Sequence, residues 1–301
     1  MSSYAFWTAV QLGLVYGFVA LGVYLSFRVL DFPDLTVDGS FPLGGAVAAI
    51  LIVGDVNPWI AMLAATAAGG LAGLVTATLS IRFRILHLLA SILTMFALYS
   101  INLRVLGQAN MSLRGHDTVL TPLYGPALAD LYVRPIFLAV LLVLAVAALA
   151  WFLNSNAGLA MRAAGANPRM ARAQGISTGR SVYLGMAMSN GLVAFAGALF
   201  AQTQLYADVG SGVGTIVIGL ASVIVGESLL RFRGIWIALV GCVLGSALYR
   251  LAVQWALDWD GFCIGSSLCI DLSASDLNLI AATIIALALI LPRLRRGGWS
   301  T

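Results

Sequence analysis

The feature that most limits what this chain can fold into is a series of apolar segments, most of them near the thickness of a bilayer. They run at about Tyr4–Tyr24, Phe41–Val53, Trp59–Ile81, Leu88–Leu106, Pro135–Leu153, Val182–Gln202, Val213–Leu229, Ile235–Trp255 and Leu277–Leu291. About 20 apolar residues cross the hydrocarbon core as an α-helix. A soluble core cannot absorb this surface, because only 9% of the 301 residues are charged, against roughly 25% in soluble domains. In lipid every backbone polar group must be satisfied within the protein. The expected fold is therefore all-α, a polytopic membrane helix bundle of about nine or ten transmembrane segments. Two segments, Phe41–Val53 and Val213–Leu229, are short, and each follows a Gly- or Asp-rich stretch. Short, interrupted helices in corresponding places of two halves point to a solute pathway.

All sixteen basic residues are arginine. The chain thus lacks both a phosphate-binding-loop lysine and a Schiff-base lysine. If ATP drives transport, another polypeptide binds it. Arg82 and Arg84, Arg162 to Arg180, Arg231 and Arg233, and Arg293 to Arg296 form four basic clusters. With normal alternation they share one side, which the positive-inside rule makes the cytoplasm. Gln108–Arg134 and Leu257–Asp276 then lie outside, and the C-terminus inside. If Phe27–Asp38 crosses as a short broken span there are ten crossings and an inside N-terminus, the preferred reading; otherwise there are nine. The first apolar stretch has no basic flank and no cleavage region, so it is expected to be a retained span. The net charge of +4 sits in loops rather than on one face, which gives no reason to expect nucleic acid.

The most distinctive polar stretch is Gly158 to Arg180, which carries Arg162, Arg169, Arg172 and Arg180 and no acid. Gly165-Ala-Asn167-Pro168 reads as a turn, since Pro168 disfavours helix at the residue before it. Pro168 suits the first position of a new short helix, Arg169 to Gln174, which Gly175 ends. Helix, turn, short helix, turn is a shape on which a soluble partner can dock. The plain alternative is an ordinary positive-inside loop.

A second stretch, Phe27 to Gly45, places Asp31, Asp34 and Asp38 among Pro33, Gly39 and Pro42. Charges at membrane depth are costly and usually face a cavity. These aspartates either line a translocation path or belong to a surface loop in which Arg28 pairs one of them. A third stretch, Asp208 to Glu227, has glycines that let backbone come close to a solute or a neighbouring helix. Glu227, the only glutamate, is expected to form an ion pair with Arg231 or Arg233 rather than to relay protons. Gly13–Gly17, Gly69–Gly73 and Gly241–Gly245 have the spacing of close helix packing.

Cys263 and Cys269 fall in the external loop, where a disulfide can form; Cys242 is inside a span. No metal-ligand spacing appears, His87 and His116 are isolated, and no nucleophile motif is present. No cofactor and no catalytic residue is expected.

Three stretches together resemble the membrane permease subunits of ATP-binding-cassette importers, in the group of branched-chain amino acid and ribose-type permeases. They are Gly13–Ala48, Arg162–Ser177, and Asn190–Ala201 followed by Gly214–Gly226. The wording LDFPDLTVDGSF looks closest to a branch labelled tryptophan/tyrosine-type transport permeases. The resemblance implies a single transmembrane permease domain over residues 1–301, with two related halves as in type II importers and residues 158–180 as cytoplasmic coupling segment. It further implies two cytoplasmic ATPase subunits, an extracytoplasmic solute-binding protein, a second permease copy, and a place in the inner (plasma) membrane. Arg162, Gly165, Asn167, Pro168, Arg169, Met170, Arg172, Gln174 and Gly175 are then the candidates for the ATPase contact, and Asp31, Asp34 and Asp38 for the path. The cargo is a small solute such as an amino acid. The rival is a secondary transporter driven by an ion gradient, which also fits embedded acids and short helices but has no use for the basic helix-turn-helix.

Overall fold

The computed structural model describes residues 3–121, 127–230, 234–257, 262–263 and 269–270. The apolar segments fold as helices: α1 Ser3–Val23, α2 Val37–Val53, α3 Pro58–Ile81, α4 His87–Leu106, α5 Ala127–Asn154, α8 Thr178–Gln204, α9 Thr215–Leu229 and α10 Ile235–Leu257. Two polar helices, α6 Asn156–Ala166 and α7 Pro168–Ala173, join α5 to α8. Among the described residues, 7 helices are long and apolar enough to cross a membrane, and α2 is a shorter apolar one. The segment expected at Leu277–Leu291, and the arginines at 231, 233 and 293 to 296, lie outside the described residues.

α1 does not stop at Val23. A π-helical turn, Tyr24–Val29, carries it onward, and Leu30 and Phe32 donate their N–H groups back to Leu25 and Ser26 at 3.1 and 2.9 Å. The chain then breaks at residues 31–36 and restarts as α2. Among the described residues Phe27–Asp38 forms no helix of its own: it is the end of one apolar helix and the entry to the next. The reason is local. Asp31 adopts a left-handed φ of 53°, and Pro33 removes a donor, so helix cannot run through.

Contacts give the directions. Gly179, at the start of α8, faces Ile81 at the end of α3, and Gly165 of α6 faces Val29. The basic loops 82–86 and 155–177 thus share one end with the π-turn. The opposite end holds a small antiparallel sheet of β1 Asn110–Ser112 and β2 Tyr206–Asp208. Near it, Ile52 of α2, Leu106 of α4 and Ala201 of α8 share an apolar cluster. α1 therefore starts at the sheet end and finishes at the basic end.

α2 runs alongside α8, and α3 packs on the same helix. Glycine allows this: a Cβ on Gly44 would fall on the Ala194 backbone, and one on Gly197 on the Phe41 carbonyl. All three pairs of spaced glycines lie at such contacts: Gly13 against Ala247, Gly69 and Gly73 against α8, and Gly245 against Ser222. Without a hydrophobic driving force between helices in lipid, such close approach supplies dispersion contacts. α1 sits at the centre, with Val15, Phe18, Leu21 and Leu25 buried, while α3, α4 and α5 turn Leu63, Leu93 and Val143 outward.

Candidate functional site

Two polar constructions interrupt the apolar bundle. The first is at mid-depth, where the two short helices meet. α2 begins there and runs to the sheet end. From that end the chain returns through β2 and a 3-10 turn, Val209–Gly212, and restarts as α9 toward the basic end. Their N-termini lie together. Gly212 packs on the Asp38 carbonyl and Pro42, and Gly214 takes a left-handed φ of 84°. The N–H groups of Ile216 and Gly214 donate to the two carboxylate oxygens of Asp38 at 2.7 and 3.4 Å. Asp38, in the first turn of α2, thereby satisfies free donors at the start of α9, where a negative charge also opposes the helix dipole.

Asp34 lies one step away and is sealed from solvent, at 0% exposure. It accepts from the Thr36 N–H at 2.9 Å and from the Asn190 amide at 2.7 Å. Ser40 donates to the other end of Asn190 at 2.7 Å, and Thr36 shares a hydrogen with Thr76 at 2.8 Å. Ser189 donates to the Gly22 carbonyl at 2.8 Å, and Asn102 to the Gly39 carbonyl at 3.2 Å. This seam ties α1, α2, α3, α4 and α8 together where the backbone is broken. Asp34 thus faces protein rather than an open lumen.

The second construction is the basic end. Ser155 caps α6, its hydroxyl accepting from Gly158 N–H at 3.3 Å. Asn167 caps α7, accepting from Met170 N–H at 3.0 Å, and Pro168 takes the first helical position. Arg172 donates to the Pro168 carbonyl at 3.1 Å, and Gly175 ends the knuckle at φ 80°. Asn167, Pro168, Arg169, Met170, Arg172, Gln174 and Gly175 are exposed, Met170 to 58%, while Ala171 is buried. Gly158 packs on Leu153, Gly165 on the Val29 carbonyl and Leu30, and the buried Met161 reaches Gly185 of α8. α6 is therefore seated on the end of the central helix.

A cavity lies at the basic end, between the π-helical turn and α6. About 470 Å³ in volume, it is lined by Arg28 and Asp31 on one side and Arg162 and Gly165 on the other. Asp31 thus stands apart from Asp34 and Asp38 and beside α6. Arg28 pairs neither Asp31, Asp34 nor Asp38; its ion pair is with Glu227, at the far end of α9. Sequence reasoning placed Glu227 in an ion pair, and the partner comes from α1's extension. It also missed Asn190, Ser40 and Thr76. The signal was present in Asn190, an amide inside an apolar run, which in lipid needs a partner. Cys263 and Cys269 are opposite each other in the register of β3 Phe262–Cys263 and β4 Cys269–Ile270.

The family described as branched-chain amino acid transport system / permease component matches residues 6–291. A tyrosine transport system permease protein of Clostridioides difficile is 35% identical over 275 residues, 90% of this chain and 86% of that one. The guanosine ABC transporter permease protein NupQ of Bacillus subtilis is 27% identical over 161 residues, 50% of each chain. In fold, the chain is similar to PsaBC from Streptococcus pneumoniae, with a TM-score of 0.51, 16% identity, and coverage of 95% of this chain and 89% of that one.

Proposed function

The chain belongs to the branched-chain amino acid transport system / permease component family, and from that premise we propose that it is the translocating subunit of an ATP-driven importer for an aromatic amino acid. The permease hydrolyses nothing. Two cytoplasmic ATPases supply the work, an extracytoplasmic binding protein delivers the solute, and two permease copies enclose the path. The chain sits in the inner membrane with the basic end, and the C-terminus, in the cytoplasm.

The observation that carries this reading is the exposed knuckle of α6 and α7. Met170 projects between Arg169 and Arg172 as an apolar knob flanked by cations, suited to a groove on a soluble partner. Its base is not loose: Gly158, Met161 and Gly165 fix α6 to α5, α8 and the end of α1. Closure of the ATPases moves the knuckle, and the rigid seat passes that motion to the central helix and the half-helices. The substrate class follows the tyrosine permease that the chain resembles along 90% of its length.

The ion-gradient alternative needs an embedded carboxylate free to take a cation. Both oxygens of Asp34 and of Asp38 already accept hydrogen bonds, which disfavours it. The test is co-purification. Arg169→Glu with Arg172→Glu is expected to abolish recovery of the ATPase and binding-protein-dependent uptake, with the permease still extracted as a folded bundle. Recovery of the ATPase at normal yield would sink the docking assignment.

A further inference from the structure

Arg250 is a cation inside a membrane span that no part of this mechanism uses. It lies on α10, which ends at Leu257, so it is about 10 Å of helix inside the sheet end. Among the described residues no salt bridge joins it to an acid, and its Nε is buried without a hydrogen-bond partner. Its guanidinium instead covers the ring of Tyr16, 4.7 Å from the centroid. A charge held at that depth is costly, and in membrane proteins it usually serves an ion or solute path.

What lies beside it gives the chemistry. Tyr16 stacks on Phe41 at 5.8 Å, Phe41 meets Phe200 at 5.4 Å, and Phe200 meets Tyr206 at 6.3 Å. Tyr206 is 38% exposed at the sheet end, whereas Phe41 is buried. A row of rings thus leads inward from the surface to a guanidinium that also hydrogen-bonds Tyr16 and whose Nε has no hydrogen-bond partner among the described residues. We propose that this is a solute site on the outer half of the path, taking an aromatic carboxylate. The carboxylate bonds to Arg250 in the two-pronged geometry a guanidinium favours, and the solute's ring packs edge-on against Phe200 and Tyr206. The proposal rests on the amino acid importer reading and adds the group that recognises the acid.

The test uses the assembled transporter, permease with ATPases, in nanodiscs and without the binding protein. Equilibrium binding of tritiated L-tyrosine is measured, with 3-(4-hydroxyphenyl)propionate and tyramine as competitors. The acid, which keeps the carboxylate, is expected to compete; the amine, which lacks it, is not. Arg250→Gln is expected to weaken binding by about 10-fold or more, the loss of a charged hydrogen-bonded pair, and Arg250→Lys by less. Tyr206→Leu, at the exposed end of the row, keeps the proposal testable if Arg250→Gln does not fold, and is expected to weaken binding too. Undiminished binding in both folded variants, equal competition by tyramine, or no binding to the unmodified complex at millimolar tyrosine would each overturn the site. Failure of the importer reading shows elsewhere, as loss of binding-protein-dependent uptake by the unmodified complex, and leaves the comparison of acid and amine competitors able to decide this site.

Discussion

Replacing Asp34 separates two roles for a carboxylate in the membrane. Alanine there orphans two buried donors, the Thr36 N–H and one Asn190 N–H. Each costs about 1–3 kcal/mol when left unpaired, so Asp34→Ala is expected to lose about 2–6 kcal/mol. For a chain of this size that lowers a thermal midpoint by about 5–20 °C. Asparagine behaves differently. Its carbonyl can still take the Thr36 N–H. Its amide then faces Asn190, which can turn over, accept from residue 34 and donate to the Ser40 hydroxyl, since a hydroxyl both gives and receives, losing only the 3.2 Å bond that its amide gives the Met186 carbonyl, about 1 kcal/mol. Asp34→Asn is therefore expected to hold its midpoint to within a few degrees and to retain uptake. The assay is heating of the purified permease in nanodiscs, with the folded fraction read by size exclusion, alongside uptake by the reconstituted complex. If Asp34→Asn proves as unstable as Asp34→Ala, the hydrogen-bond argument fails. If it stays stable but abolishes uptake, the carboxylate acts on the solute and Asp34 belongs to the path.

Further expectations concern contacts between distant parts of the chain. Arg28→Glu and Glu227→Arg each remove the ion pair that joins α1's extension to α9; since both side chains are about half exposed the loss is about 1 kcal/mol or less, and the double swap should restore the midpoint of the singles. Gly197→Val drives a side chain into the Phe41 carbonyl, which is expected to cost more than about 3 kcal/mol, beyond ordinary overpacking, because backbone cannot repack; normal folded yield would disprove the close α2–α8 approach. Cys263 and Cys269, opposite each other across their strands, are expected to resist maleimide until a reductant is added, and labelling without reductant would exclude a disulfide.

The membrane helices were legible because their cause is compositional: from Tyr4–Tyr24 to Ile235–Trp255, the apolar runs define the spans to within a few residues at most ends. α5 is an exception, beginning at Ala127 where the apolar run begins at Pro135. The knuckle was legible too, because Asn167-Pro168 and Gly175 impose a cap, a start and a stop through local backbone sterics. What could not be read was which polar groups meet. Asp34 finds Asn190 across 156 positions and Arg28 finds Glu227 across 199, and nothing local to either residue encodes such a distance. The same limit applies to the break after α1. Whether Phe27–Asp38 spans by itself depends on a π-turn that adds length to α1, and on partners on α3 and α8 that hold the break partway into the membrane.

That separation along the chain has a price during synthesis. Asp34 enters the bilayer 156 positions ahead of the amide that satisfies it, and Asp38 leads the Ile216 N–H by 178. At about 5–20 residues per second of translation, the first carboxylate waits on the order of 8–30 seconds for its counterpart. Through that interval the nascent amino-terminal hairpin cannot settle in lipid as it will finally stand. It must linger beside the insertion machinery or at the headgroup layer until the later helices arrive, so a ribosome stalled before Asn190 should leave that hairpin extractable and open to protease.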